Sequence, residues 1–153
     1  MGSLEMKDRW LDPMVVGWVD GVKKLARVAE QYPQTAYTEF IQSLQAEWQY
    51  ISRCVPGTEK YLGPVEKAIW ELLLPALLGV PAGEVHGGLR ALLGNGIKQG
   101  SLNVRNPTEA AERLHKASSE ADKTLIHSLV EGHRLDLVLH QQTVRKAGTE
   151  ARK

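Results

Sequence analysis

The chain has 153 residues, 42% apolar and 24% charged, enough for one domain that folds on a single hydrophobic core without metals or disulfide staples. Nineteen Lys and Arg against eighteen Asp and Glu leave a formal net charge of +1, which excludes a strongly polycationic or polyanionic protein and allows local patches only. Cys54 is the one cysteine, so an intramolecular disulfide and a cysteine-rich zinc site are excluded, and a reducing, intracellular setting, cytoplasmic or nuclear, is expected.

Residues 1–11 lack the charged stretch and apolar run of a signal peptide and read as an N-terminal extension whose first residues look like appended sequence. Asp12 followed by Pro13 is a helix-start signal. Behind it Val15, Trp18, Val19, Val22, Leu25, Ala26 and Ala29 recur at three- and four-residue steps, which predicts an amphipathic helix ending near Tyr32, ahead of Pro33. Tyr37, Phe40, Ile41, Leu44, Trp48 and Ile51 form a second such face, with Gln42, Gln45, Glu47 and Gln49 opposite and Pro56-Gly57 as its close.

Gly63-Pro64 opens a third helix whose face carries Val65, Ala68, Ile69, Leu72, Leu73, Ala76 and Leu77. It is expected to be the most buried one, with a kink or an ending at Pro75. Six glycines between positions 83 and 100 leave room for one short helix around Leu89, Leu92 and Leu93. Leu102 and Val104 alternate with polar residues in a brief extended piece, too short to support a sheet. Asn106-Pro107-Thr108-Glu109 is a capping-box-like start for a helix with Ala110, Ala111, Leu114, Ala117, Ala121, Leu125 and Leu129 on one stripe. Gly132 interrupts it, Leu135, Val138 and Leu139 resume the pattern, and residues 147–153 form a polar tail expected to be disordered. The expected fold is all-α: one helical domain over residues 12–146, a bundle of about six helices with little or no sheet. The longest apolar run, residues 72–78, is far below the ~20 needed to span a bilayer, so no membrane partner is expected.

The chemistry that such a chain can carry is narrow. Gly94-Asn95-Gly96-Ile97-Lys98-Gln99-Gly100 matches neither the P-loop nor the dinucleotide fingerprint, and no G-x-S-x-G nucleophile turn occurs. Glu112 and His115 share the Glu-x-x-His spacing of dimetal bundles, but such bundles need two of these pairs and two further Glu. His133 and His140 lie two helical turns, roughly 10 Å, apart. No cofactor, metal site or catalytic residue is therefore expected. Periodicity assigns Trp48 and Trp70 to the core, while Trp10 and Trp18, near the N-terminus, are the aromatic candidates for a partner contact. Two weakly basic regions stand out. Arg90, Lys98, Arg105, Arg113 and Lys116 oppose Glu109 and Glu112, and five basic residues from Arg134 to Lys153 oppose Asp136 and Glu150. Lys98, Arg105, Arg145 and Lys146 are the candidates for phosphate contacts, since they fall outside the apolar stripes.

Tyr37, Phe40, Leu44, Trp48, Tyr50 and Arg53, then Gly63-Pro64-Val65-Glu66 and Leu73-Leu74-Pro75-Ala76-Leu77, resemble the segment downstream of the catalytic palm in eukaryotic retroelement reverse-transcriptase-like proteins. Val65 replaces that family's usual Leu. Gly100-Ser101-Leu102-Asn103-Val104-Arg105-Asn106-Pro107 stands in place of a more glycine-rich element, and the likeness covers about residues 20–132. It implies a thumb- or connection-like module that supports nucleic acid without doing chemistry. The palm's adjacent carboxylates, which hold two metal ions in such polymerases, have no counterpart: the aspartates at 8, 12, 20, 122 and 136 are scattered. The alternative reading is a helical protein-interaction or homodimerisation module using Trp10, Trp18 or the stripe from Leu114 to Leu139.

Overall fold

The apolar periodicity becomes six helices, with no strand, among the residues 4–151 that the computed structural model describes. Helix α1 spans Leu4–Ala29. Helix α2, residues 33–54, runs as Pro33–Glu39, a π segment Phe40–Leu44, and Gln45–Cys54. Helix α3, residues 63–78, repeats that plan as Gly63–Ala68, a π segment Ile69–Leu73, and Leu74–Leu78. Then come α4, Gly87–Leu93, α5, Pro107–Glu131, and α6, Leu137–Glu150. None of them is long and apolar enough to cross a membrane.

Helices α1, α2 and α3 pack on one another around a core built from Val15, Trp18 and Val22, Phe40 and Trp48, and Val65, Ile69 and Leu73. Each such side chain contributes about 1.5–3 kcal/mol on leaving water. Trp48 meets Trp18 edge-on at 6.0 Å and Phe40 at 5.7 Å between ring centroids. Trp18 is thus a core residue, 3% exposed, with its indole N–H donating to Glu47 Oε2 at 2.8 Å. This removes it as a partner contact.

The first helix does not start at Asp12. It runs through Pro13, and residues 4–11 belong to it rather than to an extension. A proline inside a helix deprives one carbonyl of its donor, here at exposed Arg9, where water can replace it. The turn before it is held from outside: Leu11 is buried, and the Tyr61 hydroxyl donates to Asp8 Oδ1. That bond to the carboxylate holds the Tyr61 hydroxyl above its usual titration range. At the other end, α6 continues to Glu150 with Ala147 buried, so residues 147–150 are helix and not a disordered tail. Residues 1–3, 152 and 153 lie outside the described part.

The two π segments explain where the buried faces depart from a uniform helical period. In each, one bond spans five residues, Gln45 N–H to Phe40 O and Leu74 N–H to Ile69 O, so the turn takes an extra residue and the following face rotates. In α2 the inward positions become Gln45, Trp48 and Ser52. In α3 Leu73 and Leu74 turn in, while Leu72 and Trp70 turn out. Trp70 is 38% exposed, not core, and its N–H donates to Val85 O at 2.6 Å. The same widened turn lets α3 pass Pro75 without ending. The helix stops at Gly79, whose φ of +66° suits a residue without Cβ.

Residues 102–106 are fastened not by a sheet but by side chains and two backbone bonds, Asn103 N–H to Asn95 O at 2.9 Å and Val104 N–H to Leu93 O at 3.0 Å. Tyr37 Oη donates to Leu102 O at 2.7 Å. The buried Gln45 amide donates to Asn103 O and accepts from Arg105 N, both at 3.1 Å. Arg90 donates from Nη1 to Val104 O at 2.7 Å and, bidentately, from Nε and Nη2 to Glu66 Oε1 and Oε2 at 2.7 and 2.6 Å. This buried pair ties α4 to α3, so Arg90 adds nothing to a basic surface. Burial pushes the Glu66 carboxyl above the usual carboxylate range, with Glu109 adding to the rise, against the hydrogen bonds and charge of Arg90.

Candidate interaction surface on the last helical hairpin

Helix α5 begins where Asn106 Oδ1 accepts from the Thr108 amide at 3.0 Å and its hydroxyl at 2.6 Å. Its first turns bury Pro107, Ala110, Ala111 and Leu114, packed on α2 and on the turn Thr58–Lys60. Past Leu114 no further side chain of the helix is buried, and α6 packs along it. Gly132, at φ +68°, ends it, and Asp136 caps α6 by accepting from Val138 N and Leu139 N at 3.0 Å.

Small and polar residues join the two helices: Ala117, Ala121, Thr124 and Ser128 share one face of α5 and His140, Thr143 and Ala147 one face of α6. Thr124 donates to Thr143 Oγ1 at 3.4 Å, Ser128 donates to His133 O at 2.6 Å, and His140 Nδ1 is buried without a bond. The large apolar side chains stand outside this helix-helix contact. Leu125, Ile126, Leu129, Val130, Leu137, Val138, Leu139 and Val144 are 37–79% exposed. The stripe expected to face the core from Ala110 to Leu129 does so only as far as Leu114. In its second half Ala117 and Ala121 are half-buried and Leu125 and Leu129 exposed.

A groove of about 480 Å³ runs where this hairpin meets the body. Its floor is small, with Ala117, Ser118, Ala121, Ala147 and Gly148, and its body-side rim carries Gln49, Arg53, Asn103 and Arg105. Leu125 and Leu129 extend the Ser118–Ala121 line of α5 by one and two turns. Val144 lines the groove itself, and Leu137 lies two turns before it on α6. Groove and apolar tip therefore form one continuous seam.

The four residues singled out for phosphate contacts do not converge on this groove. Arg105 is at its rim, with Nε donating to Asn103 Oδ1 at 3.0 Å. Lys146, on α6, approaches the other flank of α5, where the Lys123 hydrogen bond, with the charges of Lys123, Lys116 and Lys146, holds the Glu120 carboxyl below its usual range. Arg145 and Lys98 are exposed elsewhere on α6 and on the turn Ile97–Gln99. Trp10 remains on the surface at 48% exposure, one turn from exposed Met6. Glu112 and His115 line a shallow groove with Glu59 and Lys116, and no group of three or more side chains able to hold a metal ion occurs among the described residues.

Sequence reasoning missed Arg53, Val144 and Gly148 as groove residues, and missed Glu66, Arg90 and Gln45 as the supports of the loop that forms its rim. One signal for the surface was present. The doublets Leu125-Ile126 and Leu129-Val130 and the triplet Leu137-Val138-Leu139 make a wider apolar arc than one helix-helix contact occupies. Comparison with known proteins returns no matching family model, no curated relative and no solved structure similar to this chain.

Proposed function

We propose that the chain is a non-catalytic helical protein-interaction module whose docking surface is the outer half of the α5–α6 hairpin. One observation carries this reading. Eight large apolar side chains are exposed between Leu125 and Val144, while the helices that bear them touch each other through Ala, Thr and Ser. A hairpin that served only its own chain would turn the large residues inward, because their burial is the main driving force available to it. A photo-crosslinking residue at position 129 is expected to give discrete protein adducts in cells, and one at equally open Val16 on α1 is not. Identical patterns from both positions would sink the reading.

A second reading, nucleic-acid support by a retroelement-like segment, draws on Arg53 and Arg105 at the rim of the groove. Titration with duplex DNA and with an RNA–DNA hybrid tests it. Affinity that falls steeply with salt and weakens in Arg105→Ala supports it, and no binding at low salt removes it.

A further inference from the structure

Resting on the interaction reading, we infer that the occupant of the hairpin seam is a second copy of this chain, related by a two-fold axis, with the tip of each hairpin seated in the groove at the base of the other. The seam has large residues at one end, Leu125, Leu129 and Leu137, and a small-residue hollow at the other, around Ser118, Ala121 and Gly148. Two copies laid side by side and antiparallel bring knob to hollow twice, with the axis passing near Thr124. This is the self-complementarity that an isologous contact requires.

Area and charge agree with that occupant. The four on the groove side, Leu125, Leu129, Leu137 and Val144, are 37–73% exposed and leave on the order of 400 Å² open, a full apolar patch by the ~300–600 Å² of a typical monomer, to which the wall of the groove adds toward the ~800 Å² per partner of a specific interface. From Ser118 to Ala151 there are five acidic residues (120, 122, 131, 136, 150) and four basic ones (123, 134, 145, 146), a net charge of −1. Two hairpins can approach without strong repulsion, whereas a polyanion gains little there. Pairing also makes a four-helix arrangement in which Leu125, Leu129, Leu137 and Val144 become core residues, as facing apolar positions do in helical bundles.

Sedimentation velocity on the full chain at micromolar concentration is expected to give twice the 17.0 kDa chain mass. Leu129→Glu at the tip is expected to weaken dimerisation by at least ~30-fold, the loss typical of an interface hot spot. Ser118→Trp, which fills the hollow, is expected to act the same way. Leu129 is exposed and Ser118 lines an open groove, so circular dichroism should not change, and the thermal midpoint should lose only the contribution that depends on protein concentration. A Ser118→Cys/Leu129→Cys chain in a Cys54→Ser background supplies the geometric arm. Those positions are eleven residues apart on one helix, roughly 16 Å, too far to bridge within a chain, so a 118–129 disulfide is a link between copies. A dimer that is sensitive to Leu129→Glu and forms this disulfide supports the inference. A monomer at every concentration, or a dimer indifferent to both substitutions, overturns it. Adducts at position 129 on a strictly monomeric chain would leave the interaction reading standing and remove only the second copy as its occupant.

Discussion

In α2, Phe40 and Trp48 turn onto α1 and are buried, whereas in α5 the equally apolar Leu129 and Val130 stand 73% and 79% open. The body formed by α1 to α4 buries a core of large residues, although Val16, Tyr50 and Leu92 among others stay open, and stitches its irregular segment down with buried polar groups. The hairpin does the reverse, spending Ala, Thr and Ser on the contact it makes with itself. What separates the two regions is where the polar atoms go. In the body Gln45, Glu66 and Arg90 are buried and hydrogen-bonded to backbone or to each other. In the hairpin the charged groups are at the surface, paired locally, as Lys123 with Glu120. The body is therefore held by its own contacts, while the hairpin leaves most of its large apolar side chains open.

The largest test of that contrast lies in the buried pair. Arg90→Ala leaves Glu66 buried without its partner and Val104 O without a donor, and is expected to cost about 3–5 kcal/mol in chemical denaturation. The Glu66→Met/Arg90→Met double variant should recover most of it, since an apolar pair has no charge to desolvate. The carboxyl also predicts a pH dependence. Because burial raises the Glu66 pKa in the folded state, folding binds a proton at this group. Its contribution to stability is full below the ordinary carboxylate pKa and declines as pH rises from there through the raised value. Glu66→Gln should flatten that part of the profile. A cost for Arg90→Ala no larger than that of an average surface change would break the contrast between the two regions.

The next effect compares one polar contact in each region. Gln45→Ala strips partners from Asn103 O and Arg105 N and is expected to cost about 2–3 kcal/mol, the penalty for leaving buried backbone groups unsatisfied. Thr124→Ala removes only a long hydroxyl contact in the hairpin and should stay within about 0.5 kcal/mol. Equal costs, measured by urea unfolding of both variants, would mean that the hairpin is as tightly specified as the body.

The helical fold was legible because apolar spacing and the Gly, Pro and Asn punctuation are local: Gly63-Pro64, Asn106-Pro107 and Gly132 mark real boundaries. What failed was phase and direction. A fixed period of 3.6 puts Leu72 inside and Gln45 outside, and a single extra residue in each π segment reverses both. Leu125 and Leu129 do continue the stripe of Leu114, but the sequence contains no sign of where the body ends beneath them. The buried Arg90 counted as a surface charge for the same reason. Its partner Glu66 is 24 residues away, and nothing local announces the pairing.

Two glycines of α1 sharpen the contrast within the body itself. Gly17 is exposed, and a Cβ there would find no atom within 4 Å. Gly17→Ala is therefore expected to stabilise by about 1 kcal/mol, the helix-propensity difference alone. Gly21 lies one turn on, where the π segment of α2 presses closest: a Cβ would sit 3.1 and 3.2 Å from the two methyls of Leu44. The same propensity gain is available at Gly21, but Leu44 must retreat by a few tenths of an ångström, and its neighbours are core side chains. Gly21→Ala should therefore gain clearly less than Gly17→Ala. Gly21→Val, which adds two methyls beyond the alanine to a filled space, should lose about 1–3 kcal/mol. Thermal unfolding of the three variants checks this, and equal gains from the two alanines would show that the π segment does not lie as tightly on α1 as Leu44 indicates.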